Sequence, residues 1–390
     1  MDNIDFLTPL SADFLAWEDD KVSDKLGTVI PKYVTGKIFP NLNDIDIVIL
    51  GVEEDRNSNN LGCAEASNFF RKYFYELYSH SANIKVADIG NIKQGADIND
   101  TYFALSNVVE ELFNKNITPI IIGGSQDLSF AIYKAYVKLN SLINIATIDN
   151  KFDLGDANIN LNSNNFLSHI VLNKPNILFN YTNIGYQTYL VEQEAIELMD
   201  NLYFDIYRLG YFNNNIKIIE TLLRNVDFVS FDMSSIRQSE APGNKNASPN
   251  GFYGDDACQI CQYAGAGTDI SCIGFFELNP KFDNNGQTAH LLAQMVWYFI
   301  DGYYKKVKEF PSASSKEFTR YEVQFSEARE HLTFYKSNKT NRWWMEIKNI
   351  ESVSPKHHKH YIIPCTEDDY EQVLNGNIPD RWLKAQQKIM

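Results

Sequence analysis

The segment ITPIIIGG (117–124) is almost continuously apolar. A strand tolerates such a run only when both its faces are covered, as in a parallel sheet layered by helices; a half-wet antiparallel strand would alternate. IDIVILGV (45–52), IKVADIG (84–90) and INIATID (143–149) have similar strand character. Between these runs lie stretches of helical spacing: Cys63–Tyr78, with Phe69, Phe70, Tyr73 and Phe74 in step, then Ile98–Asn114 and Gln126–Leu139. Further strands are expected at 176–184, 204–208, 226–232 and 272–277, with helices near 190–201, 215–224, 253–265 and 286–302. The alternation predicts an α/β fold with a central, mostly parallel sheet over residues 45–302. Residues 1–44 read as an extension packing on that core. From about residue 303 the rhythm changes. YKKVKEFPSASSKEF (304–318) has linker composition, and EVQFSE, HLTFYKS, RWWMEIKNI and HYIIPC read as short antiparallel strands. Helices in DDYEQVLNG and PDRWLKAQQK complete a small C-terminal α+β appendage over 303–390.

Composition narrows the function classes. Hydrophobic residues make up 44% of the 390 and aromatics 13%, enough for a large core. The net charge of −15 argues against nucleic acid or an anionic membrane as partner, since both require a basic surface. No run of 18 apolar residues is present, so no membrane-spanning helix is expected. The first residues, MDNIDFLTPL, are acidic where a secretory signal is basic, and a cytoplasmic location is the expectation. The five cysteines, scattered and odd in number, are expected to be reduced thiols.

In a parallel sheet, ligands bind beyond the carboxyl ends of the strands. Four segments fall there: GGSQDLS (123–129), DNKFD (149–153), SFDMSSIRQ (230–238) and FFELNP (275–280). They bring Asp149, Asp153 and Asp232 together, with Glu277 nearby. Several carboxylates in a dry site require a cation or protonation.

These segments, in this order and spacing, resemble the arginase and ureohydrolase superfamily, which includes agmatinase and formimidoylglutamase. Further matches are GVEEDRNSNNLGCAEASNFFRKYF, SEAPGNKNASPNGFYGDDA (239–257) and FELNPKFDNNGQTAHLLAQ (276–294), so that the resemblance covers about residues 45–302. It implies a three-layer arginase-like fold and a homo-oligomer. It also implies two Mn²⁺ ions held by two His and four Asp, whose bridging hydroxide attacks a guanidinium or formimino carbon.

Residue by residue, the resemblance places the first His ligand at Gln126 and the second at Lys151. The two aspartates of the family's DAHxD fall on Asp149 and Asp153, which are retained. Of the next aspartate pair, Asp232 is retained and Ser234 replaces the other, with Arg237 and Gln238 where the family has Asp-Pro. The substrate-binding glutamate falls on Glu277. Three of six ligands therefore remain. Gln126, Asp149, Asp153 and Asp232 form an all-oxygen set for one divalent ion, Mn²⁺, Mg²⁺ or Ca²⁺, or for none. A protonated lysine has no lone pair for a metal. Lys151 is expected to stand in place of the second ion, three carboxylates and one ammonium then leaving −2.

The reading that follows is a formimidoylglutamase-like protein with a decayed metal site, a non-hydrolytic or single-metal ligand-binding protein. Two alternatives stay open. One is an active hydrolase of a small guanidino or formimino substrate, with one ion, Lys151 as electrostatic stabiliser or lowered-pKa base, and Glu277 and Ser234 at the substrate. The other is a scaffold acting through the appendage. A pocket filled by side chains together with an exposed Trp/Tyr patch on residues 303–390 would favour the latter, and an open polar pocket above Asp149, Asp153, Asp232 and Glu277 the former. Bland roles compete throughout: strand-end capping for the aspartates, helix capping for Gln126 and Ser129, a structural carboxylate for Glu277. His169 occupies the place of the family's catalytic NxHG segment without its glycine. A packed or surface role competes with a substrate contact there. Cys258-Gln-Ile-Cys261 lacks a second Cys/His pair for zinc, and KHHKHY (356–361) reads as a surface tract. Trp343, Trp344 and Trp382 read as appendage core, with a partner surface as the alternative.

Overall fold

Nine strands make one sheet: β1 (Leu7–Thr8), β2 (Ile47–Val52), β3 (Val86–Ile92), β4 (Thr118–Ile122), β5 (Ile143–Ile148), β6 (Leu178–Tyr186), β7 (Asp205–Arg208), β8 (Phe228–Asp232) and β9 (Cys272–Phe276). The computed structural model describes residues 1–18, 24–80, 83–213, 215–311, 315–324, 331–347 and 358–389. The spatial order is β1-β3-β2-β4-β9-β8-β5-β6-β7. All pairings are parallel except β1 against β3.

The apolar strands explain the layering. Ile47, Ile49, Ile120 and Ile122 face one helical layer with Phe70, Phe74, Leu292 and Val296. Their neighbours Val48, Leu50, Val52 and Ile121 face the other, with Leu105, Val108, Leu112 and Ile132. Period-two side chains that are apolar on both phases need a cover on both sides, and this chain supplies it.

The order also positions the site. β4, β9, β8 and β5 are consecutive in the sheet. Segments as far apart in the chain as Gln126 and Glu277 therefore emerge side by side at the carboxyl edge.

The sheet's other edge is pinned by a buried ion pair. Arg71, on the helix Ala66–Phe74, is fully buried. Its Nε and Nη2 donate to Asp88 of β3 at 2.7 and 2.9 Å, and its Nη1 to Asn91 Oδ1 at 2.6 Å. The Tyr75 hydroxyl also donates to Asp88, at 2.8 Å. A bidentate, fully hydrogen-bonded geometry is what makes a dry ion pair tolerable.

The structure differs from the sequence expectation in places. The helix expected over Cys63–Tyr78 is a 3₁₀ turn, Cys63–Glu65, followed by Ala66–Phe74. It stops there because the carbonyls of Tyr75 and Leu77 accept from Gly27 and Leu26 of the N-terminal extension. The helix expected to end near 302 runs Gln287–Lys305. There the Tyr304 hydroxyl accepts from the Lys85 N–H at 2.7 Å, holding the last turn on the core. β1 and the helix Phe166–Leu172 were not expected.

Residues 318–365 include a separate antiparallel sheet: β10 (Phe318–Gln324), β11 (His331–Ser337), β12 (Trp343–Glu346) and β13 (Ile362–Cys365), in that order. Helices Glu367–Leu374 and Asp380–Ile389 follow. Trp343 and Trp382 lie in this sheet's core. Trp344 instead meets the main body: the Arg224 guanidinium lies 4.8 Å from its ring centre, and Arg224 Nη1 donates to the Trp343 carbonyl at 2.8 Å. Lys384 donates to the Phe204 carbonyl at 2.9 Å, and Lys388 lies 3.9 Å from Asp205 of β7. The appendage thus covers the region of β7, the sheet's open edge, a position that would otherwise invite foreign strands. Parts of the expected elements, namely 325–327, 348–350 and, in the His-rich tract, Lys356 and His357, lie outside the described residues, as do 312–314 of the linker. His360 of that tract is buried against Phe179, with ring centres 3.9 Å apart.

Replacing Arg71 with Met leaves Asp88 buried without its cation. The expected loss is about 3–5 kcal/mol of unfolding free energy, measured by urea denaturation of the full chain. A loss within error of zero would show that the pair contributes nothing.

Candidate functional site

Asp149 follows β5 directly and Asp232 ends β8. Gln126 comes after β4, Glu277 after β9, and Asp153 in the loop beyond Asp149. Together with Ser234 they are all 5% exposed or less. Burial of this many carboxyl groups sets the electrostatics. Asp149 is pushed well above the usual carboxylate range by burial first, then by Asp153 and Asp232. Burial pushes Asp232 up to about 6, against the pull of Lys151 and of the Ser234 N–H, which donates to it at 2.6 Å.

Lys151 supplies the cation. Its Nζ lies 2.7 Å from Asp153 Oδ1 and donates to Asn164 Oδ1 at 2.6 Å. Its own N–H donates to Asp149 Oδ1 at 3.2 Å. Burial would drive the ammonium to lose its proton, but Asp153, Asp149 and Asp232 outweigh it and raise its pKa. The expectation of a lowered-pKa lysine base is therefore corrected: three carboxyl groups crowd it, and it stays charged. Asn164 belongs to a loop tied across the site, since Asn57 Nδ2 donates to the Leu161 carbonyl at 2.7 Å and the Ser163 N–H to the Asn57 carbonyl at 3.2 Å.

Glu277 is held from every side. Its carboxylate accepts from the Gln126 N–H and from Asn60 Nδ2, each at 2.9 Å. The Ser58 hydroxyl lies 3.3 Å away. Its carbonyl accepts from Asn60 and Asn244 at 2.9 and 3.0 Å. Its φ of 67°, like the 53° of Asp153, lies in the left-handed region that non-glycine residues avoid. Those hydrogen bonds hold Glu277 there. Burial and the nearby Asp232 push its pKa up to about 8.

The remaining candidates are placed as follows. Gln126 Nε2 donates to Ser230 Oγ at 3.2 Å, and its Oε1 is buried without a partner. Ser129 Oγ meets Ser230 Oγ at 2.9 Å, and the cap of the helix Leu128–Leu139 is Asp127, so neither Gln126 nor Ser129 caps it. His169 lies on the helix Phe166–Leu172 with its ring edge-on to Phe130 at 5.9 Å and its buried Nε2 unbonded. Cys258 and Cys261 are buried free thiols. Sequence reasoning passed over Asn60, Asn164 and Asp127, whose carboxyl burial raises to about 6. For Asn60 and Asn164 the only signal was the density of Asn around 57–60 and 158–165.

A two-metal centre does not fit this donor set. Among the described residues, no three or more His, Cys, Asp or Glu side chains are disposed to hold a metal ion. Oxygen donors for one ion exist, including the open Gln126 Oε1, but Lys151 would have to leave Asp153 to admit it.

Comparison with known proteins gives a consistent picture. The family model described as Arginase family matches residues 45–301. The formimidoylglutamase of Streptococcus gordonii is 23% identical over 314 residues, covering 72% of this chain and 92% of that protein. That of Lysinibacillus sphaericus is 23% identical over 296 residues, covering 73% and 87%. The solved formimidoylglutamase of Bacillus subtilis superposes with a TM-score of 0.65 at 18% identity, covering 74% of this chain and 94% of that one. Formiminoglutamase of Trypanosoma cruzi, solved with Mn²⁺, gives 0.64 at 18%, covering 68% and 96%. At these identities the structures speak for the fold.

The raised Glu277 carboxyl has a signed consequence. A carboxyl whose folded pKa lies above its unfolded value of 4.5 stabilises fully below that value, and the contribution is lost as pH rises through about 8. In chelator, the wild-type protein should lose stability between pH 5 and 8.5, and Glu277→Gln, which cannot ionise, should lose less. Chemical denaturation at both pH values checks this. Equal losses would mean that Glu277 titrates normally.

Proposed function

The chain belongs to the arginase family, and from that premise we propose that it is a formimidoylglutamase-like protein that no longer performs two-metal hydrolysis, a non-hydrolytic binding protein holding at most one divalent ion. One observation carries the reading: the Lys151 ammonium sits 2.7 Å from Asp153 where the family resemblance places a histidine ligand. A fixed ammonium offsets carboxylate charge as a metal does, but it cannot lower the pKa of a shared water to make hydroxide at neutral pH. Lys151 stays protonated among its neighbours, so it does not serve as base in the metal's stead. The closed geometry argues the same way. Asp149, Asp153, Asp232 and Glu277 are all buried, and Glu277, the residue expected to meet a cationic substrate, is already saturated by Asn60, Gln126 and Ser58.

No helix among the described residues is long and apolar enough to cross a membrane. Localisation in the cytoplasm and a homo-oligomeric state belong to the same proposal.

Metal per chain, measured by mass spectrometry after purification in Mn²⁺ and desalting, is expected to be below two. Formimidoylglutamate is expected not to turn over. The combined Gln126→His, Lys151→His and Ser234→Asp variant should take up more Mn²⁺ than the wild type. Two ions per wild-type chain with turnover would overturn the reading, and a variant that gains no metal would overturn the assignment of Lys151 to the second ion's place.

A further inference from the structure

A cavity of about 1140 Å³ is not lined by the carboxylate cluster. It opens beyond the carboxyl ends of β6, β7 and β8, between Tyr186–Tyr189, a wall that includes Arg208, Phe212 and Lys217, and Asn250–Tyr253. We propose that this cavity binds a small anion carrying a planar ring, an aryl or nucleoside phosphate or an aryl carboxylate. The inference is independent of the metal argument.

Charge is the first support. The cavity wall carries Arg208, Lys217 and Arg237 against a single acid, Asp256. In a chain of net charge −15, such a local excess of cations runs against the average. None of the three is in an ion pair among the described residues, whereas the other described arginines each have an acid within reach. Asp256 itself is occupied as a helix cap, accepting from the Tyr253 N–H at 3.2 Å.

The second support is the state of Arg237. Its guanidinium lies 3.3 Å from the Tyr253 ring centre, and its Nη2 donates to the Gly251 carbonyl at 3.1 Å. Its Nε is buried without an acceptor. Stacking and one hydrogen bond hold the planar fork in a single orientation, and Nη1 is taken by no acceptor among the described residues. That is a preorganised receptor for a phosphate or carboxylate.

Aromatic walls are the third. Phe212 and Phe252 pack at 6.0 Å, and Tyr189 and Tyr253 line the cavity at 67% and 50% exposure. Exposed rings beside unpaired cations suit a ligand with a flat π-face and a charged head.

Calorimetric titration of the full chain with AMP, phthalate, adenosine and inorganic phosphate tests the proposal. AMP or phthalate should bind saturably, and the preferred one identifies the head group. Adenosine and phosphate should each bind about tenfold or more weakly, the loss of one good charge-assisted contact or of the stacking surface. Arg237→Gln and Arg208→Gln should each weaken the ring-bearing anion by a similar factor. Lys217→Gln, at an exposed position, should also weaken it and provides the same readout if an arginine variant does not fold. Absence of saturable binding for both AMP and phthalate at millimolar concentration would overturn the proposal. So would affinities unchanged in all three variants, or phosphate alone binding as tightly as AMP.

Discussion

Carboxyl groups removed from water must find a cation, a proton or a full set of donors, and the centre of this protein is organised around that requirement. Asp149, Asp232 and Glu277 stand at the ends of the adjacent strands β5, β8 and β9, with Asp153 in the loop beyond Asp149, so the first three cannot move apart without dismantling the sheet edge. Each is treated differently. Asp153 takes the Lys151 ammonium, Asp232 a backbone N–H, Glu277 an amide and a backbone N–H, and Asp149 the N–H of Lys151. A single lysine cannot offset all of them. Burial first, and then their mutual repulsion, raise the pKa values of Asp149, Asp232 and Glu277.

The same requirement is met in full at Arg71. There one guanidinium faces one carboxylate in bidentate register, with Asn91 and Tyr75 closing the remaining hydrogen bonds. The contrast is instructive. The Arg71 pair is a finished structural contact that holds the helix Ala66–Phe74 on β3. The Lys151 cluster retains an unsatisfied acceptor at Gln126 and two residues in the left-handed backbone region, features that structures keep where a site once needed them or still does.

Much of this was legible in the sequence because it rests on short-range pattern. Apolar strands such as 117–124 require two covers, which gave the parallel sheet and its helical layers. The convergence of Asp149, Asp232 and Glu277 followed from their places at strand ends. What was not legible depends on partners far away in the chain. Tyr75 and Leu77 leave their helix only because Gly27 and Leu26 arrive to use their carbonyls. Asn164 meets Lys151 only because its loop is drawn back by Asn57. The two-residue β1 has no periodicity to detect; it exists because β3 presents an open edge. The sign of the Lys151 shift was equally hidden, since it depends on three carboxyl groups whose distances the sequence does not carry.

The carboxylate cluster and the cationic cavity are joined by a short chain of contacts. Asn150, between Asp149 and Lys151, donates through Nδ2 to the Ser234 carbonyl at 3.0 Å, and its own carbonyl accepts from the Gln187 N–H at 2.9 Å. Gln187 lines the cavity and donates through Nε2 to the Asn250 carbonyl at 3.0 Å, on the wall opposite. Closing the cluster with Lys151 therefore braces the loops that shape the cavity, as a bound metal would brace them through the same aspartates. Removing the carboxylates or their counter-charge would loosen the strand-end loops that shape the cavity. Under the two proposals made above, the aspartates hold the geometry of these loops and the cavity beside them holds the ligand.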